Sequence, residues 1–144
     1  MPIYAYHTVV YDSESNPKHL ATSIVKWLID SECSISMTPY YSDLIEDIEP
    51  NHSNVEVGTG VLTPAPFQGT VKIRIEDVYD DKKCYVLLHN IYFIPGLNRR
   101  SLSVRQWNVT GGEITFHTNH CLITICDSIS GTVDTFAVNP PMQQ

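Results

Sequence analysis

Trp27-Leu28-Ile29-Asp30-Ser31-Glu32-Cys33-Ser34-Ile35-Ser36-Met37-Thr38 places a buried-strand signal, a carboxylate and a run of small residues in that order. Ser23 to Ile29 (Ser-Ile-Val-Lys-Trp-Leu-Ile) is β-branched and apolar, the composition of a strand with little solvent contact. Asp30 therefore falls at a strand exit, on a turn backed by core, with most of the chain still to come. Asp-Ser recurs at Asp12-Ser13 and Asp127-Ser128, so the dipeptide alone carries no information. Asp12 follows no strongly apolar strand, and too little chain follows Asp127 to build a barrel around an active turn. Taken alone, Asp30-Ser31 reads as a surface turn capped by an aspartate.

Outward from this stretch, short β-rich runs alternate with turn residues. Asn54 to Val57 opens a strand, with Gly58-Thr59-Gly60 as its turn. Thr70 to Ile75 alternates, with Val71, Ile73 and Ile75 on one face and Lys72 and Arg74 on the other, so it should be half solvated. Asp80-Asp81-Lys82-Lys83 is a charged turn into Cys84 to His89, and Ile91 to Ile94 follows, ending at Pro95-Gly96. Glu113 to Phe116 and Cys121 to Cys126 form a hairpin around Thr118-Asn119. Thr132 to Val138 is a last strand before Pro140-Pro141. Helix signals are few. Tyr41 to Ile48 suits two turns capped by Ser42, with Leu44, Ile45 and Ile48 as the apolar side. Arg100 to Trp107 suits a helix packed through Leu102, Val104, Gln106 and Trp107. Seven or eight short strands with regular turns lead to the expectation of an all-β fold, a small barrel or sandwich, with one short helix near Arg100–Trp107. It occupies 23–138, after a leader or linker at 1–22 and before a tail at 139–144.

The 144 residues suit one domain, and 42% hydrophobic with 17% charged residues is ordinary for a soluble globular one. The net charge of -7 disfavours binding to nucleic acid phosphates. Arg99, Arg100 and Arg105 form the only basic cluster and lack interleaved stacking aromatics. No apolar run approaches the ~18 residues of a membrane helix, and Met1 to His7 lacks the basic and apolar regions of a signal peptide. Neither nucleic acid nor membrane is an expected partner. Cys33, Cys84, Cys121 and Cys126 form no CxxC pair and read as reduced, packed thiols. His117, His120, Cys121 and Cys126 match no standard zinc spacing, and strand alternation sends Cys126 away from Cys121. No metal or other cofactor is expected. The remaining histidines are scattered and give no Ser-His-Asp order. Cys33, beside the Asp30 turn, invites a nucleophile reading, against which a packed thiol weighs more.

The opening stretch resembles the pattern of copia-type retrotransposon Pol polyprotein proteases: Trp, two aliphatics, Asp-Ser-Gly, a small residue, Ser, and a His or Ser before Met-Thr. His89-Asn90-Ile91-Tyr92-Phe93-Ile94-Pro95-Gly96-Leu97 is similar to that family's Asn-Val-Leu-Tyr-Val-Pro-Gly-Leu, and Arg99 to Gln106 to its Asn-Leu-Leu-Ser-Val-x-Gln. Val57-Gly58-Thr59-Gly60 looks like its Val-Gly-Asn-Gly, and Gly69-Thr70-Val71-Lys72-Ile73 like its Gly-Thr-Val-x-Ile. Gly112-Glu113-Ile114-Thr115-Phe116 and Cys121-Leu122-Ile123 complete the order, so the resemblance runs from about Trp27 to Ile125.

That resemblance implies a small closed β-barrel of the retropepsin type, one half of an aspartic endopeptidase. One Asp-Ser turn supplies one carboxylate, so a working site needs a twofold homodimer in which Asp30 of each copy meets the other. Ser31 would brace the two turns, and Gly58, Thr59 and Gly60 or Phe67, Gln68 and Gly69 would supply the flap. Residues 94–106 would form the psi-shaped crossing and the helix beneath the active turn. The implied substrate is a Gag-Pol-type polyprotein peptide, and the implied setting is cytoplasmic, including virus-like particles. Glu32 stands where the family has glycine, a departure that brings a second carboxylate to the turn. It motivates the alternative of a catalytically inactive retropepsin-like barrel, a decayed element or a domesticated binding domain. Ser36 replaces the common family histidine.

Overall fold

A computed structural model describes residues 7–11, 27–57, 60–127 and 129–138. The expected strand start at 23–26, most of the expected leader and the tail at 139–144 lie outside the described residues. The strands are His7–Tyr11 (β1), Trp27–Asp30 (β2), Met37–Thr38 (β3), Glu46–Val57 (β4), Val61–Glu76 (β5) and Lys83–Phe93 (β6). Arg100–Ser103 (β7) leads into the helix Val104–Val109 (α1), and Glu113–Phe116 (β8), Cys121–Cys126 (β9) and Val133–Val138 (β10) follow. Among the described residues, the all-β class with one short α-helix holds. The described strands form two open sheets rather than a closed barrel: one runs β2-β7-β3-β6-β5-β4 with β1 also on β6, the other β10-β9-β8. Among the described residues closure is lacking, because β2 pairs only with β7 and β4 only with β5.

Alternation places the core. Val71, Ile73 and Ile75 of β5, Cys84, Val86 and Leu88 of β6, and Cys121, Ile123 and Ile125 of β9 all face one cluster with Ile29, Leu102, Trp107 and Phe136. Lys72 on the opposite face of β5 is exposed, and its ammonium sits over the Tyr85 ring. The two segments expected at Cys84–His89 and Ile91–Ile94 are one strand. Asn90 takes a left-handed φ of 61° there, opposite the register shift between Gly69 and Val71, so the strand bends without ending.

The expected helix over Tyr41–Ile48 is corrected. Only Tyr41–Asp43 makes a 3-10 turn, and the chain then extends into β4. Pairing wins over helix propensity because the Ile45 N–H reaches Thr70 O at 2.8 Å, while Ile45 and Ile48 remain exposed. The helix expected over Arg100–Trp107 begins later, since Arg100–Ser103 is committed to β2. Ser103 caps it, its Oγ accepting from the Gln106 N–H. Arg100 is held within the chain: Nε donates to Asp43 Oδ2 at 2.6 Å, and the guanidinium lies 4.2 Å over the Tyr40 ring.

The turn between β5 and β6 ties the two sheets together. Asp77 accepts from the N–H groups of Tyr79, Asp80 and Ala137, and Val78 donates to Ala137 O. Lys82 donates to Asp134 Oδ1 and Thr135 O on β10. The Ala137 and Asp80 N–H bonds, with help from Tyr79 and the Lys82 charge, hold the Asp77 carboxyl below its usual range. A carboxyl depressed in the folded state stabilises the fold above its unfolded value and loses that contribution as pH falls through the folded one. Thermal melts between about pH 5 and pH 3 should therefore show a smaller loss for Asp77→Asn, which is the less stable protein at pH 7. Equal losses for the two proteins would remove Asp77 from the acid response.

Candidate active site

Two strands that flank the Asp30 turn are not neighbours. β7 runs between them, parallel to β2 with Asp30 opposite Ser103, and antiparallel to β3 with Ser101 opposite Met37. The segment from Ser31 to Ser36 must therefore cross the end of β7. Asp30, at the exit of β2, is half-buried, whereas Ser31 and Glu32 are exposed. The Asp30 carboxylate turns back on its own chain, and Oδ1 accepts the Glu32 N–H at 2.8 Å.

Glu32 creates no backbone strain. Among the described residues, only Asp47 and Asn90 are non-glycines with positive φ. The backbone of this turn therefore accepts a side chain, and what the family glycine's absence changes is the charge beside Asp30 and the space above it.

Beneath the turn lies a brace of hydroxyls and one amide. Ser36, fully buried, offers Oγ to the Ser103 N–H at 2.8 Å, and the Ser36 N–H meets Gln106 Oε1 at 2.6 Å. Ser103 Oγ donates to Cys33 O at 2.7 Å while accepting from Gln106 N–H at 3.0 Å, and Gln106 Nε2 reaches Asn90 O at 3.4 Å. Thus one helical turn and one strand end position both the start and the finish of the Asp30 loop. Ser36, Ser103 and Gln106 were not singled out as site residues in the sequence. Their signal was a polar side chain recurring inside otherwise apolar stretches, at Ser36 in Ile35–Met37 and at Ser103 in Leu102–Val104.

Cys33 packs into this loop, its Sγ 3.8 Å from Asp30 O. Burial, then the Asp30 charge, push its thiol up to about 11 from 9.0, which leaves it about a hundredfold poorer in thiolate than an ordinary cysteine near neutral pH. A nucleophile reading does not fit that environment. Cys33 should react with a thiol reagent at pH 7.5 about two orders of magnitude more slowly in the folded than in the urea-unfolded chain. A fast folded-state reaction assigned to Cys33 by mass mapping would contradict this. Cys84 and Cys121 are likewise buried, Cys84 with its thiol pushed up to about 12, and all four cysteines are free.

The β4–β5 hairpin closes one side of the loop. Val55 and Val57, with Cys33, Ile35, Tyr92 and Leu97, pack on a small second cluster of Met37, Ala65 and Ile94, separate from the main core. Gly60 forms the hairpin turn at φ 90°, with Gly58 and Thr59 outside the described residues. Phe67, Gln68 and Gly69 lie far along β5 in register with Phe93, Tyr92 and Ile91, inside the sheet rather than at a tip. Of the residues in the two flap candidates, then, Gly60 is the described one at a hairpin turn.

His117 and His120 stack 5.1 Å apart, and His120 Nδ1 lies 3.3 Å from the Tyr79 hydroxyl. Cys121 is buried on the far face of β9, and among the described residues no group of three or more His, Cys, Asp or Glu is suited to a metal ion. Among the described residues, no helix is long and apolar enough to cross a membrane.

Residues 27–112 match the family described as "Pol polyprotein, beta-barrel domain", a span that begins with β2, contains the whole Asp30 loop, its brace and the hairpin, and ends beside Trp107 at Gly112. Neither the curated proteins nor the solved structures gave a match. With more than half of its residues in that match, the chain belongs to the Pol polyprotein β-barrel domain family.

Proposed function

We propose that this Pol-type domain is one half of a retropepsin-like aspartic endopeptidase of the copia type, acting on its own polyprotein as a twofold homodimer. The observation that supports this reading most is the placement of Asp30: a carboxylate at a strand exit, on a loop crossing β7, braced from below by Ser36, Ser103 and Gln106. In the paired site, two Asp30 side chains about 3 Å apart share one proton, because both cannot be ionised there. The charged carboxylate takes a proton from water as the water oxygen attacks the scissile carbonyl carbon. The protonated partner gives its proton to the carbonyl oxygen. Collapse of the tetrahedral adduct breaks the C–N bond, with a proton delivered to the leaving nitrogen, and yields a carboxylic acid and an amine. Ser31 of each copy braces the partner's turn, and the 58–60 tip of the β4–β5 hairpin covers the peptide. The domain so assigned is residues 23–138.

Glu32 favours a second reading, a silenced barrel of the same fold. In the dimer it raises the acidic groups near the axis from two to four. Like charges 4 Å apart cost about 1 kcal/mol in water and about 4 at the effective dielectric of a protein surface. Incubation with polyprotein-derived peptides at mildly acidic pH, with and without pepstatin, tests the first reading, with sedimentation recording the dimer. Absence of pepstatin-sensitive cleavage at concentrations where the dimer forms would end it for this chain. Activity that appears only in Glu32→Gly, and not in Glu32→Gly combined with Asp30→Asn, would establish the silenced form.

A further inference from the structure

We infer that Glu32 is the specificity-determining residue of the half-site, taking a lysine or arginine that flanks the scissile bond of the substrate peptide. The inference rests on the endopeptidase reading and adds the substrate's charge to it.

Glu32 sits two residues beyond Asp30, and its backbone is fixed by the 2.8 Å bond from its N–H to the Asp30 carboxylate. Its side chain is exposed, and the ion pairs within the described residues, Arg74–Glu76, Lys82–Asp134 and Arg100–Asp43, leave it out. The carboxylate therefore stands exposed, without an ion-pair partner among the described residues, on the loop that a peptide must cross to reach Asp30. The adjoining Cys33 belongs to an apolar patch: with Ile35, Val55, Val57 and Leu97 it is half-buried against Met37, Ala65 and Ile94. A half-buried apolar patch beside an exposed carboxylate fits a side chain with an aliphatic stem and a cationic head, which is the build of lysine and arginine.

Symmetry strengthens the argument. A twofold dimer carries Glu32 on both sides of the Asp30 pair, so a peptide lying across the axis meets one such carboxylate on either side of its scissile bond. A basic peptide offsets the repulsion among the four acidic groups, whereas an acidic one adds to it. The net charge of -7 steers cationic peptides to the protein in the same sense. Peptide binding and pairing of the two copies should therefore reinforce each other.

The test uses one cleavable peptide in three forms, with lysine, norleucine or glutamate on both sides of the scissile bond. Each is assayed against wild type, Glu32→Gln and Glu32→Lys. Wild type should cleave the lysine form with kcat/KM about tenfold or more above the glutamate form at low salt, a ratio that narrows as salt is added. Glu32→Gln should lose the discrimination and Glu32→Lys should reverse it. An unchanged lysine preference in Glu32→Gln, or a wild type that is blind to charge, overturns the inference while leaving the endopeptidase reading intact. Weakened dimerisation of Glu32→Gln without peptide, with preference retained, overturns it too, because Glu32 then pairs across the interface. No cleavage of any form by wild type, Glu32→Gln or Glu32→Gly at dimer-forming concentrations sinks both.

Discussion

On the endopeptidase reading proposed above, Asp30→Asn should lower kcat/KM for peptide cleavage by about 10²- to 10⁴-fold, the range that general acid–base catalysis supplies, and should leave the fold in place. The substitution is nearly isosteric, and the one hydrogen bond that Asp30 Oδ1 accepts, from the Glu32 N–H, is equally open to an asparagine carbonyl oxygen. The brace below the loop runs through Ser36, Ser103 and Gln106 and does not use the Asp30 side chain. The variant's melting temperature should accordingly lie within a few degrees of wild type. The proposed dimer should be at least as stable in this variant, since two fewer carboxylates then meet at the axis. Together these three readouts separate chemistry from folding: lost cleavage, an unmoved melt and an intact or tighter dimer. Retained cleavage would exclude Asp30 from the reaction. A collapsed melt would instead make Asp30 a structural cap, the bland reading of the same turn.

Much of this site was legible in the sequence because its signals are local. The Trp27-Leu28-Ile29 run announces a strand, and Asp30 ends it, as observed. The clean alternation over Thr70–Ile75 likewise gave the correct buried face. The features that were not legible depend on partners distant in the chain. Nothing within Tyr41–Ile48 reveals that the Ile45 N–H is claimed by Thr70 O, so the local helix pattern misleads. Nothing near Ser36 reveals that Ser103, 67 positions away, needs an acceptor. The polar residues of the brace look like substitutable surface positions until the crossing of β7 between β2 and β3 is known. Closure fails for the same reason. Strand count suggests a barrel, but the pairing partners of the end strands are decided by contacts that single-strand patterns do not encode.

Gly112→Ala should be the most damaging single-methyl change outside the site, costing about 3 kcal/mol and about 10 °C in melting temperature. Gly112 does not need the left-handed region; it needs room. A Cβ placed there would collide with Trp107 Nε1 and would lie 2.6 Å from Thr124 O and 2.8 Å from Trp107 Cδ1. Both neighbours are fixed by each other, since Trp107 Nε1 donates to Thr124 O at 3.0 Å, and Trp107 is buried at 2% exposure. Neither can give way without breaking the bond that seats α1 on β9. Gly131 provides the contrast. Its φ of 77° favours glycine, yet an added Cβ meets nothing within 4 Å, so Gly131→Ala should cost only about 1 kcal/mol of backbone strain. If the two variants melt together, the Trp107 seat is looser than the contacts require. The consequence extends to the site, because α1 begins at the Ser103 cap and carries Gln106, the acceptor that holds the Ser36 N–H. A tryptophan pushed off β9 tilts that helix. On the same reading, Gly112→Ala should therefore reduce cleavage at temperatures well below its own unfolding, whereas Gly131→Ala, whose added Cβ meets nothing within 4 Å, should not.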